Sequence, residues 1–275
     1  ACSDEESFAV TIDNTPIITN PGAQTACDSY TLGAITGTNI TAGASYYDNS
    51  QALGGVAIAG PITTSQTVWI YDADGACSDE ESFAVTIDNT PIITNPGAQT
   101  VCDSYTLGAI TGTNITAGAS YYDNSQGLGG VAIAGPITST QTVWIYDADG
   151  ACSDEESFLV TVNLTPTFTL SSTDPTTCNG TDGTITISGL NNASSYDISY
   201  DDDGSAVATT QVSNGSGQIV ITGLNAGTYD NFELTLNACT GSNATVLSLN
   251  NPGAPVINDL ANATVCDTYT LPAIT

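Results

Sequence analysis

The sequence predicts an all-β chain of tandem β-sandwich domains, and three observations lead there. Apolar residues recur in short alternating runs bounded by Gly, Pro, Asn and Asp, with no stretch of helical period. Hydrophobic residues make up 40% of the chain and charged ones only 11%, a content that disordered acidic segments lack. Residues 1–75 and 76–150 match at all but four positions: Ala26/Val101, Ala52/Gly127, Thr64/Ser139 and Ser65/Thr140. A period of 75 exceeds a solenoid unit of roughly 20–50 residues and suits a small autonomous domain.

The structural boundary is shifted from the numbering boundary. Asp13-Asn14-Thr15-Pro16 follows one strand pattern and precedes another, and the residue before a proline is driven extended. Whole domains are therefore expected at 15–89 and 90–164, with residues 1–14 the last strand of a preceding domain. Within 15–89 the runs PIIT, DSYTLGAI, ASYYD, GVAIAG, QTVWIYD and ESFAVTID read as strands in that order. Val68 and Ile70 share one face, opposite Trp69 and Tyr71. Phe83, Val85 and Ile87 alternate with Ala84, Thr86 and Asp88. Asp74-Gly75 between the two runs reads as a hairpin turn. Residues 165–251 keep the strand-and-turn register in different text. Residues 252–275 restart the first pattern as the opening strands of a truncated domain, VCDTYTLPAIT echoing ACDSYTLGAIT at Ala26.

Charge excludes more than it proposes. The formal net charge is −29, and the chain has no Lys, Arg or His. Side-chain salt bridges cannot form. Nucleic acid and anionic membranes lack the cations they require. General-base catalysis by His, Schiff-base chemistry and Arg clamping are all absent, and a Ser or Cys nucleophile has no base. Only paired carboxylates remain available for chemistry, and near-identical tandem copies suit a spacer better than an active site. Lys-based covalent cross-links are excluded too, which leaves disulfides as the covalent reinforcement. No apolar run approaches the ~20 residues of a membrane span.

The eight cysteines follow the shifted boundaries. One disulfide per domain is expected: Cys27 with Cys77, Cys102 with Cys152, and Cys178 with Cys239. Cys2 and Cys266 would then find partners in neighbouring domains. The alternative pair Cys2–Cys27 crosses the Pro16 linker. Metal ligation by these thiols is disfavoured, because there is no CxxC and no His. Disulfides imply an oxidising, extracytoplasmic setting.

The run CDSYTLGAI…ASYYDNSQALGG…TSQTVWIYDADGACSDEESFAVTI resembles the Ig-like domains that accompany gliding-motility-associated C-terminal (CHU_C) sorting domains in Bacteroidota surface proteins. TCNGTDGTITISGL…GLNAGTYDNFELTLNAC in 165–251 resembles the SprB-type repeats of large adhesion proteins of the same bacteria. The resemblance implies tandem Ig-like β-sandwich domains in a rod-like array, type IX export and a role as a cell-surface adhesin or filament. The chain departs from the pattern in lacking every basic residue.

The acids have two readings. Asp72, Asp74 and Asp79, their copies Asp147, Asp149 and Asp154, and Asp201 with Asp203 are candidate calcium ligands, because D-x-D-G spacing can supply several oxygens from one turn. Equally, DADG is a hairpin turn and SDEE a solvated strand start. Trp69 and Trp144 are read as a sugar-stacking platform or as core or interface aromatics. Eight N-x-S/T sequons begin at Asn39, Asn114, Asn163, Asn179, Asn192, Asn214, Asn243 and Asn262. The expected function is a non-enzymatic section of an extracellular fibre or adhesin stalk that self-associates or continues in a longer chain. The alternatives are glycan-binding adhesin domains and the spacer of a secreted polysaccharide-degrading enzyme. Calcium is the one cofactor candidate.

Overall fold

The chain is all-β: the computed structural model, which describes residues 3–253, has strands, two short 3-10 turns and no α-helix among those residues. Cys2, Cys266 and the sequence restart beyond Gly253 lie outside the described residues. The described chain divides into two compact units. One comprises the residues up to Gln99 with Thr106–Val160, the other Thr100–Tyr105 with the residues from Thr161 on.

In the first unit, residues 3–13 form no strand. Then come β1 (Ile17–Ile18), β2 (Gln24–Cys27), β3 (Gly37–Thr38), β4 (Ser45–Tyr47), β5 (Ala57–Ile58), β6 (Gln66–Asp74) and β7 (Cys77–Asp88). One sheet runs β2-β7-β6-β4-β5, and β1 and β3 form a separate ladder. The expected hairpin joins β6 and β7. Asp74 pairs with Cys77 across a two-residue turn, where Gly75 takes φ 58°. Alternation sorts the faces as expected. Val68, Ile70, Phe83 and Val85 are buried with Ile18 and Ile62, while Trp69 and Tyr71 lie half-buried on the opposite face. β2 runs parallel to β7, with Cys27 opposite Asp88. That pairing puts Cys27 at the trailing end of β7, whereas Cys77 begins the strand at its leading end.

The repeat rebuilds these elements as β8 (Ile92–Ile93), β9 (Gln99–Cys102), β10 (Gly112–Thr113), β11 (Ser120–Tyr122), β12 (Gln141–Asp149) and β13 (Cys152–Asn163). Its sheet runs β11-β12-β13-β9, and Asp149 again faces Cys152 across the hairpin turn.

The second unit continues with β14 (Thr169–Thr173), β15 (Gly183–Ser188), β16 (Ser195–Asp202), β17 (Ser205–Val212), β18 (Gln218–Leu224), β19 (Gly227–Leu236), β20 (Cys239–Asn243) and β21 (Leu247–Leu249). β14-β15-β18 form one sheet. β17-β16-β19-β20 form the other, with β21 also beside β19. Their inner faces meet in a core that includes Ile185, Ile198, Tyr229, Phe232 and Leu234. Phe232 stacks on Tyr200 at a centroid distance of 5.2 Å.

Candidate functional site

With no cation in the chain, its carboxylates take their hydrogen bonds from backbone N–H groups and from Ser, Thr and Asn side chains. Asp72 is 1% exposed. It accepts from the Thr41 N–H at 2.7 Å, from the Thr41 hydroxyl and from the Ala73 N–H, which pins the β3–β4 loop to β6. Asp79 accepts from the Ile18 N–H at 2.7 Å, and Glu80 from the Ser50 hydroxyl and Gln51 N–H, both at 2.7 Å. Asp147, Asp154 and Glu155 repeat these bonds on Thr116, Ile93, Ser125 and Gln126. Charge-assisted bonds of this kind are roughly twice as strong as neutral ones. Among the described residues no buried side-chain polar atom lacks a partner.

The same carboxylate chemistry operates where one 75-residue segment passes to the next. After β2, Asp28 adopts φ 60°, a left-handed conformation that Asp tolerates. Its N–H donates to the Asp88 carbonyl at 2.8 Å, and its carboxylate accepts from the Thr90 N–H at 2.9 Å and the Thr90 hydroxyl at 2.7 Å. Those donors, the backbone one foremost, hold the Asp28 carboxyl below the usual aspartate range. After β9, Asp103 (φ 63°) does the same with the Asn163 carbonyl and Thr165. The hydroxyl and then the N–H of Thr165 lower its pKa. Asn179, after Cys178, shares the positive φ (56°) but not the bonding. The Cys178 sulfur lies 3.5 Å from the Pro252 carbonyl, and the Asn179 N–H donates to Asn251 Oδ1 at 2.9 Å.

The β6–β7 and β12–β13 hairpin tips meet these linkers from the other side. The Cys77 sulfur lies 3.8 Å from the Asp13 carbonyl, Cys152 3.8 Å from that of Asp88, and Cys239 3.9 Å from that of Asn163. Glycine suits the tip, where φ is 58° at Gly75 and 60° at Gly150. A Cβ on Gly150 would sit 1.9 Å from Asp88 Oδ2, and one on Gly75 1.9 Å from Asp13 Oδ2. At Asp88 and Asn163 two cysteines thus converge, one from the end of β2 or β9 and one that opens a strand after a hairpin turn of the following segment. The result is a covalent clasp: Cys27–Cys152 in the first unit and Cys102–Cys239 in the second, each with Cα atoms 5.6 Å apart.

These bonds correct the expected pairings of Cys27 with Cys77, Cys102 with Cys152 and Cys178 with Cys239. Cys27 stands opposite Asp88, eleven residues along β7 from Cys77, which at ~3.3 Å per residue is about 36 Å. A disulfide needs Cα atoms within about 7 Å. Cys77 and Cys178 are free thiols, Cys77 half-buried and Cys178 exposed.

Among the candidate calcium ligands, Asp72 stands opposite Asp79 and Asp147 opposite Asp154 across the hairpins. Asp74 accepts from the Asn14 N–H, Asp149 from the Asn89 N–H, Asp201 from the Asn231 amide and Asp203 from the Thr228 N–H. Asp203-Gly204 is the two-residue turn between β16 and β17, with φ 47° and 78°. Among the described residues no three His, Cys, Asp or Glu side chains gather as a metal site. Each repeat also has an open groove, about 590 Å³ beside Ile40 and Tyr46 and about 530 Å³ beside Ile115 and Tyr121, without a charged side chain in its lining. Among the described residues no helix is long and apolar enough to cross a membrane.

No family model matches the chain, and no curated protein does. Solved structures of tandem immunoglobulin domains do. A three-domain fragment of the titin I-band is similar at 13% identity and TM-score 0.49, over 89% of this chain and 100% of that one. The first five immunoglobulin domains of Sidekick-1 are similar at 13% identity and TM-score 0.34, over 88% and 60%. The N-terminal eight Ig domains of Down Syndrome Cell Adhesion Molecule are similar at 16% identity and TM-score 0.38, over 86% and 42%.

Proposed function

We propose that the chain is a structural, non-enzymatic section of an extracellular surface fibre or adhesin stalk, in which the Ig-like domains 15–89 and 90–164 and the SprB-like β-sandwich domain 165–251 are stapled each to its successor. The observation that carries this reading is the pair of disulfides spanning 125 and 137 residues, which join successive segments instead of closing single ones. Tension between segments therefore runs through a covalent bond as well as through the linker peptide. Disulfides of this kind persist in oxidising compartments, which supports an extracellular location. The sequence resemblance to Bacteroidota adhesin repeats supplies the class of surface protein and its type IX export. High negative charge keeps neighbouring copies apart over a Debye length of about 8 Å at physiological salt, which suits a repetitive chain prone to misassembly.

Immunogold electron microscopy of intact cells with antibodies to residues 15–89 tests the reading. Gold on fibres or stalks outside the cell is the expected result. Label found only inside permeabilised cells would overturn it.

A further inference from the structure

In a chain with 29 acids and no basic side chain, two copies repel wherever their surfaces carry carboxylates. Residues 204–229 hold no Asp or Glu, and they contribute β17 and β18. β17 ends the sheet β17-β16-β19-β20, and among the described residues no strand lies on its other side. It pairs one-to-one with β16 over all eight residues, Ser205 to Val212, without a bulge. Every second residue of such a strand turns its N–H and C=O away from its partner, so β17 presents a regular row of open backbone groups. Edge strands are ordinarily guarded by charge, proline, a bulge or shortness. SAVATTQV has neither charge nor proline. The sheet ends in the first repeat are shorter, four residues at β2 and two at β5. β18, which ends the other sheet of the same unit, carries Gly223 at φ 82° and a register shift against β15. Val212 is 63% exposed, and Ala206, Ala208 and Thr210 on the same face of β17 are exposed too.

We propose that β17 is the edge by which two copies of this chain join side by side, antiparallel, about a twofold axis near Ala208 and Thr209. Such a pairing continues the sheet from one copy into the other and keeps both cores on the same side of it. The half-buried Val207 and Thr209 of both copies then share one face, and the exposed Ala208 and Thr210 share the other. Charge identifies the occupant and its direction. Asp201, Asp202 and Asp203 lie at the leading turn of β17, whereas the loop that follows it, 213–217, has no acid. Antiparallel pairing sets each acidic turn beside the acid-free loop of the other copy. Parallel pairing would set the two acidic turns together, which like charges oppose. In that loop Asn214 is exposed, and its Oδ1 accepts from the Ser216 and Gln218 N–H groups at 2.9 and 3.0 Å, so its NH2 is the group it offers to a carboxylate. Asp197, the remaining acid of β16, is engaged by the Thr210 hydroxyl at 2.6 Å. An unrelated strand would meet only the open backbone, whereas a second copy matches the backbone and the charge pattern of both ends at once.

Sedimentation velocity of the full chain tests the contact, after its free thiols have been capped with iodoacetamide so that no disulfide can join two copies. The expected result is a concentration-dependent dimer that tightens as NaCl rises from about 20 mM to about 500 mM, because salt screens the repulsion between the rest of the two copies. Ala208→Asp sets two carboxylates against each other at the axis and should weaken the dimer by about a hundredfold. Val212→Asp, at the end of the strand, should weaken it as well. Both positions are exposed, and circular dichroism of the variants should match the parent's. Val246→Asp adds the same charge on an exposed residue outside β17 and should leave the dimer intact. Hydrogen exchange across 205–212 should slow as the parent dimerises and stay fast in the Ala208 variant. A chain that remains monomeric at every salt and protein concentration overturns the proposal and leaves the edge to a strand of another protein. A dimer that survives both β17 substitutions, or one lost equally with Val246→Asp, overturns it too. The contact stands apart from the stalk reading, since it is measured on the purified chain whatever gold labelling of cells shows.

Discussion

The stretch SDEESFAVTID occurs at 3–13 and at 78–88; the second copy belongs to a twelve-residue strand, while the first forms none. Local preference is the same in both, since the residues are the same. What differs is company. β7 has β6 on one side and β2 on the other, and Phe83 faces Ile62, Val68 and Ile70 in a common core. A pleated run with β-branched and aromatic residues fits a sheet, but partners must satisfy its backbone and cover its face. The comparison also separates the roles of the acids. Asp79 and Glu80 are fixed by donors that folding brings to them, while Asp4 and Glu5, identical in sequence, stay exposed.

The largest contrast is expected in the core. Phe83→Ala should destabilise the first unit by about 3–5 kcal/mol, the range for a buried Phe, while Phe8→Ala should leave denaturant midpoints unmoved. A comparable loss from Phe8→Ala would mean that residues 3–13 are already paired in solution. Next comes the covalent difference. Replacing both Cys27 and Cys152 with Ser should lower stability by about 2–4 kcal/mol, and Cys77→Ser by nothing measurable, in urea unfolding followed by tryptophan fluorescence. If Cys77→Ser costs as much as the double change, the bonding pattern is wrong.

Alternation carried much of the fold in the sequence. Val68, Ile70, Phe83 and Val85 declare their face by period, and Asp74-Gly75 declares the turn between them. The cysteine partners were hidden because period says which face a residue takes and is silent on which strand lies beside it, or in which direction. The parallel pairing of β2 with β7 is non-local. Without it nothing in the sequence keeps Cys27 from Cys77, although Cys27 lies opposite the far end of the strand that Cys77 begins. A signal was nevertheless present in the text. Cys27-Asp28 and Cys102-Asp103 each pair a strand-ending cysteine with a residue suited to positive φ, which marks a chain reversal at the end of a strand. The carboxylate sites were obscured for a related reason. Asp72 and Asp147 read as turn acids, yet each is a buried acceptor for a threonine 31 positions away.

A smaller effect should separate the capping acids of the two copies. Asp79→Ala strands the half-buried Ile18 N–H and is expected to cost about 1 kcal/mol, with Asp4→Ala neutral. Hydrogen exchange at the Ile18 amide reads it directly: faster exchange in the Asp79 variant alone is the expected outcome, and unchanged protection would show that the bond is dispensable.

The least effect is expected at the junction, in acid. Thr90 follows the second copy and donates twice to Asp28. Thr15 follows the first copy, and among the described residues no aspartate takes the same pair of bonds from it. The folded pKa of Asp28 lies below its ordinary 3.8, so its stabilising contribution is complete above that value and is lost as pH falls through the lower folded one. Asp28→Asn should therefore flatten the acid limb of the unfolding midpoint below pH 3.8 relative to the parent chain. Relief of general charge repulsion acts on both proteins over the same window and cancels in the difference. An Asp28→Asn variant whose acid limb matches the parent's would show that the Asp28–Thr90 bonds contribute nothing to folding at this junction.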